Sequence, residues 1–262
     1  MHGKSRWAYL HGLEQRCLSL TCSEQTELPE GACALGIILS SDKMHVTNQS
    51  GGKVLHPLLM SLTNIHAEVR AKASLHAFVP VVFLPITEFI HNDQWMQGIL
   101  RDRLYHQCLD IMMNPLKIAA CIGIMLSDPL GNNRYCFTPL VSCIVDMPEA
   151  CLIVCVQGET SPTTLANYTQ FGDPFCHPPR TKATTLLFIE SINIDPINLI
   201  PYFKACGEHR LSGVAHPFWR DWSLSDPTHF LPPEVWHIFA RFCYDHDIKW
   251  CIHPVGPREI DF

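Results

Sequence analysis

Two carboxylates in this sequence stand at the ends of apolar runs. Asp42 follows Ala34 to Ser41, and Asp146 follows Cys136 to Val145. A buried strand that ends on an acid is costly unless the charge meets solvent, hydrogen bonds or a cation. A single Asp among Ser, Asn and Gly is ordinarily a turn residue that caps through its own side chain. Two acid-ended strands lying side by side are different, because their carboxylates converge and can share divalent cations. Hard cations such as Mg²⁺ prefer oxygen donors, and a pair held by an acidic cluster can activate a nucleophile and stabilise a leaving oxygen. Asp42 and Asp146 are therefore expected to end neighbouring strands of a mixed sheet, within reach of a shared cation. Glu234 is the candidate third acid. It follows Pro232-Pro233, which sets the backbone for a helix start. A negative charge there also suits the helix dipole, so a plain structural role stands beside the metal-binding one.

The elements that must position these acids can be read from periodicity. Gly36–Leu39 and Val54–Leu62 read as strands, the first carrying Asp42 just beyond its end. Trp95, Ile99, Arg103, Leu104, Cys108, Ile111 and Met112 recur at three- and four-residue spacing and predict a core-facing helix over Asn92–Leu116. The apolar run Ile118–Leu126 is expected to prolong that helix, leaving Asp128, the rival for the middle acid, to open the turn Ser127–Tyr135 at the surface. Thr160–Pro179 is rich in Thr, Pro and Gly and reads as a loop, while Thr181–Phe203 is amphipathic but interrupted by Pro196 and Pro201. In the last predicted helix Val235, Ile238, Phe239 and Phe242 form the apolar face. The fold class that results is α/β, a mixed sheet flanked by helices with a helical and loop insertion.

Composition excludes several classes. With 262 residues, 47% of them apolar, the chain can bury a good core, yet its richest window, His76–Ile90, is broken by Pro80 and Pro85 and carries Glu88, which argues against a membrane helix. The first 17 residues hold no apolar core of signal-peptide length, so no export is expected. The 13 cysteines lie in apolar runs and include no CxxC pair, which favours reduced, buried thiols over a disulfide scaffold or a zinc finger. A net charge of −6 gives a polyanion little attraction. Basic residues gather only locally, at Arg70 and Lys72, at Arg101 and Arg103, and at Arg180 and Lys182, where solvated faces are the simplest reading.

Four phrases carry a resemblance: LSSDK (Leu39 to Lys43), the long segment Leu104 to Ala150 ending IVDMPEA, SPTTLANYTQFGDPFCHPPRT (Ser161 to Thr181), and Arg210 to Ile252 with its PFWRDW. Together they resemble the Plavaka transposases of mushroom-forming fungi, cut-and-paste elements related to the CACTA group. The resemblance implies a ribonuclease-H-like core over residues 34–262, preceded by an N-terminal flank (1–33) and truncated relative to a complete element-encoded protein. It implies an acidic triad, matched here to Asp42, Asp146 and Glu234, holding two Mg²⁺ or Mn²⁺ ions. DNA element ends would be the partner, in the nucleus, with a homo-oligomer as a further implication. Relatives carry a CPxC pair where this chain has Ser161-Pro162-Thr163-Thr164, so a zinc site at that point is not expected.

Two rivals stay open. One is a domesticated or remnant domain that binds DNA or protein without cutting, expected in the cytoplasm if it is a remnant. The other is an unrelated small-molecule hydrolase, disfavoured because the chain has no GxSxG, P-loop or GxGxxG.

Overall fold

The computed structural model describes residues 28–45, 53–231 and 248–255. The strands are β1 (Cys33–Ala34), β2 (Ile37–Ser41), β3 (Met44–His45), β4 (Val54–Leu55), β5 (Pro57–Leu62), β6 (Val79–Phe83), β7 (Ile124–Ser127), β8 (Asn133–Phe137) and β9 (Leu140–Ile144). The helices are α1 (Ala67–Arg70), α2 (Gln94–Ile122), α3 (Met147–Ile153), α4 (Lys182–Ser191), α5 (Leu199–Glu208), α6 (Pro227–Phe230) and α7 (Lys249–Val255). None of these is long and apolar enough to cross a membrane.

The main sheet has the order β6-β5-β2-β9, with β6, β5 and β2 antiparallel in succession and β9 parallel to β2. The parallel pairing begins one step earlier, where β1 lies along β8, and Leu35 N–H and Ile37 N–H reach Phe137 O and Pro139 O across the join, both at 2.8 Å. Gly36 sits at that join because a Cβ there would come 2.4 Å from Thr63 Oγ1. Pro57 and Pro80 are tolerated for separate reasons: the first opens its strand and the second lies on the edge strand β6.

The long helix α2 covers one face of this sheet. Tyr105, Leu109, Met113 and Ala120 form a buried stripe on it and meet Ile37, Leu39, Leu58, Leu140 and Cys143. The helix stops at Ile122, where Gly123 takes φ +74°, and residues 124–127 form β7. The expectation that Ile118–Leu126 would prolong the helix is thus corrected for its second half. Periodicity could not separate a four-residue strand from a helix end, and the glycine breaks the helix because it alone enters that conformation without strain. Likewise the predicted strand Val54–Leu62 is split at His56, and β2 extends through Ser40 and Ser41 to the residue before Asp42.

The PFWRDW segment packs into the same core. Trp219 and Trp222 are fully buried, and each indole N–H is satisfied, by Ile153 O at 2.6 Å and Thr138 O at 2.9 Å. Lys117, almost wholly buried in the helix stripe, reaches Asp110, Asp221 Oδ1 at 2.5 Å and Phe218 O at 3.2 Å. Arg220 joins the same group through Asp110 at 2.9 Å. The basic pairs read as solvated faces prove mixed, since Arg70 and Arg180 are buried and Arg103 is bonded to Gly213 O and Pro196 O.

Candidate functional site

Because β2 and β9 run parallel, their C-terminal ends open at the same edge of the sheet. Asp42 is the first residue beyond β2, and Asp146 lies two residues beyond β9 as the cap of α3. Both are exposed and both line one cleft of about 490 Å³. Asp146 Oδ1 accepts the backbone N–H of Glu149 at 2.8 Å, with Pro148 in the first turn, so one carboxylate oxygen fastens the helix start.

Beneath the two acids lies a buried polar cluster. His56 Nε2 stands 2.7 Å from Ser41 Oγ and 3.1 Å from Glu149 Oε1, and Tyr105 O–H donates to the same Glu149 oxygen at 2.7 Å. An ionised carboxylate only accepts, so Nε2 carries the proton. Burial alone would raise the Glu149 carboxyl, but the bonds from His56 and Tyr105 outweigh it and hold Glu149 below the ordinary glutamate value. Tyr105 is driven the opposite way, well above the normal phenol range, by burial and then by the charge of Glu149. The cluster thus ties the residue before Asp42 to the helix that Asp146 caps.

Asp102 enters the cleft from α2. Burial pushes its carboxyl up to about 6, against the pull of Arg101 and Lys43. Among the described residues it has no hydrogen-bond partner. A carboxylate desolvated in a cleft without one is the kind of group that collects at functional sites. Lys43 and Arg101 are the cations beside the acids, and both are exposed.

The chain matches the family model for the Plavaka transposase over residues 15–251. It belongs to the Plavaka transposase family. No curated protein and no solved structure matches it. The matched span holds every residue of the cleft, and what is observed of this Plavaka chain is a mixed α/β architecture with mixed sheets flanked by helices.

Of the three acids singled out in the sequence, Asp42 and Asp146 come together at one edge, while Glu234 lies outside the described residues. Among the described residues no three His, Cys, Asp or Glu side chains are grouped closely enough to hold a metal ion. Asp128 is in a surface turn, as expected. It accepts from Asn132 N–H, Leu130 N–H and Arg134 Nε, bonds that hold its carboxyl down at about 2, and it lines no part of the cleft. Sequence reasoning missed Asp102, Glu149, His56 and Tyr105. Asp-x-x-Glu at 146–149 is a capping-box spacing that could have paired Glu149 with Asp146, whereas Asp102, set between two arginines on a helix, carries no local mark.

Proposed function

We propose that this chain carries the DNA strand-cleavage centre of a Plavaka transposase, built on a ribonuclease-H-like core and acting on element ends in the nucleus of a fungal host, with a second copy of the chain at the other end. The observation that supports it is the pair of acid-ended strands, β2 and β9, lying parallel and opening into one cleft. Asp42 and the second oxygen of Asp146, with Glu234, would hold Mg²⁺ or Mn²⁺; such ions supply a lowered water pKa and charge stabilisation for the leaving 3′-oxygen. The donor chemistry fits, since both described acids present exposed carboxylate oxygens. The chain's own residues do the rest: the Ser41, His56, Glu149 and Tyr105 cluster fixes the two acids relative to one another, and Lys43 and Arg101 supply the positive charge that a phosphodiester needs on approach.

A second reading is a domain that binds DNA or protein without cutting. The net charge of −6 favours its protein-binding form, because it gives a polyanion little attraction. Plasmid nicking in Mn²⁺ separates the two. Cutting by the isolated chain is expected to be slow, and Asp42→Asn, Asp146→Asn and Glu234→Gln should each lower it by at least about 10²-fold. Nicking that survives all three substitutions overturns the site. Duplex binding with no cutting, unaltered by the three, selects the second reading.

A further inference from the structure

Alternate residues of a strand project to opposite faces of the sheet. On β2, Ile37 and Leu39 face the long helix and its core, so Ile38 and Ser40 face away from it. On that second face Ser40 is in register with Leu59 of β5 and with Ile144 of β9. These three residues line a separate cavity of about 370 Å³. The remainder of its lining comes from the segment 70–78, which supplies Arg70, Lys72 and His76, and no acidic residue lines it.

Arg70 is the unusual member. It is only 7% exposed, and its bonding is incomplete: Nη1 donates to Leu62 O at a long 3.4 Å, while the buried Nε has no partner. No carboxylate among the described residues forms an ion pair with it. Arginine is rarely buried unless a counter-charge is at hand, because the desolvation of an unmatched cation costs several kcal/mol. On the same face, Ser61 and Ser142, both in register with Ile38, also have buried hydroxyls with no partner. Elsewhere in the core the buried cation Lys117 is matched by two aspartates, and buried Arg180 donates its Nε to the carbonyls of Ser161 and Thr164. Arg70 differs from both in that its Nε reaches neither a carboxylate nor a carbonyl.

We propose that this cavity is an anion site that takes a phosphate group, held by Arg70 from beneath and by Lys72 and His76 at the rim. A phosphate suits it better than a carboxylate. Its oxygens point in tetrahedral directions and can accept from three separate donors, whereas a carboxylate is met in one plane by a single fork. The site lies on the face of the sheet away from the long helix and involves neither Asp42 nor Asp146, so it does not depend on the cleavage reading. The phosphate has two possible sources, the backbone of DNA or a free phosphate or mononucleotide.

The test is a ³¹P NMR titration of the full chain with inorganic phosphate in EDTA, which removes any contribution from cations in the acidic cleft. Saturable binding at one site is expected. Replacing Lys72 and His76 together by Ala should weaken it by about tenfold or more, the loss of one charge-assisted contact or better, and Arg70→Gln should abolish it. Displacement of the bound phosphate by a short DNA duplex assigns the site to the DNA backbone; retention against duplex but displacement by a mononucleotide assigns it to a small phosphate. Absence of saturable binding, or binding unchanged in the Lys72 and His76 double variant, overturns the proposal. Should Arg70→Gln fail to fold by near-ultraviolet circular dichroism, the double variant decides alone, because both its side chains are exposed.

Discussion

The two halves of the long helix α2 treat polar residues in opposite ways. In its middle, His106, Asp110 and Lys117 face the PFWRDW segment and are satisfied. His106 Nε2 meets Leu152 O at 2.9 Å while its Nδ1 accepts Phe218 N–H at 3.2 Å, a pattern that fixes one neutral tautomer. Asp110, which burial would raise, is held below its ordinary value by Arg220 and Lys117. One turn before His106 the same helix offers Asp102 to an open cleft with nothing to accept from, and its carboxyl rises to about 6. The lesson is that a polar residue on a core helix marks structure when its bonds are complete and marks chemistry when they are not.

Breaking the segment packed against the satisfied part of α2 should cost the most. Trp219→Ala empties a fully buried site and removes the bond to Ile153 O, and is expected to destabilise the fold by about 4 kcal/mol in denaturant titration. Asp42→Asn, at the exposed edge, should change stability by less than about 0.5 kcal/mol in the same measurement. A reversal of that order would erase the distinction between the two halves.

Acid sharpens the comparison because the two halves titrate with opposite sign. Burial lowers His106 from 6.5 to about 4, so the unfolded chain binds the proton more readily. The stability it contributes is complete above pH 6.5 and falls by about 3 kcal/mol as pH drops to about 4. Asp102 behaves inversely. Its value rises from 3.8 to about 6, so it penalises the folded state in full above pH 6 and the penalty disappears as pH falls toward 3.8. In the native chain the two effects oppose each other between pH 6 and 4. His106→Gln should remove the acid-induced loss, whereas Asp102→Asn should stabilise the protein at pH 7.5 by about 2 kcal/mol, allowing for partial solvent access, and have no effect near pH 3.5. Denaturant midpoints across pH for the two variants check both signs.

Apart from the near-neutral change at Asp42, the smallest expected effect is at the boundary between the halves. Tyr105→Phe deletes one bond to Glu149 and should cost about 1.5 kcal/mol, a typical value for a hydrogen bond to a charged group. A cost near zero, measured by thermal unfolding, would show that His56 alone is enough to hold Glu149.

What the sequence disclosed follows from how local each signal is. Asp42 and Asp146 could be found because each ends an apolar run, a pattern contained in a dozen residues, and their neighbourhood in one sheet followed from both runs being buried, whereas the parallel direction of the pairing carries no local mark. The existence of α2 was legible for the same reason, but its buried face was not: of the residues expected to face the core only Ile99 is buried, while Trp95, Ile111 and Met112 are exposed, because a helix with apolar residues on several faces does not declare which one packs. Asp102 was not, because its character arises from what α2 packs against rather than from its neighbours in sequence. His56 was hidden inside a strand signal that it interrupts. Gly123 lay within a run whose apolar residues suit helix and strand alike. Arg70 and Arg180 looked like members of solvated patches, since nothing local distinguishes a buried guanidinium from an exposed one.

The parallel pairing of β2 with β9 also has a kinetic meaning. The hairpin-like neighbours β5 and β6 can zip locally, but β9 can find β2 only after the chain between them, α2 included, has been brought into place, and closing so long a loop slows folding. The edge where Asp42 and Asp146 meet is therefore created by a long-range step, and a chain stalled before it would hold much of its local secondary structure while lacking the acidic cleft altogether.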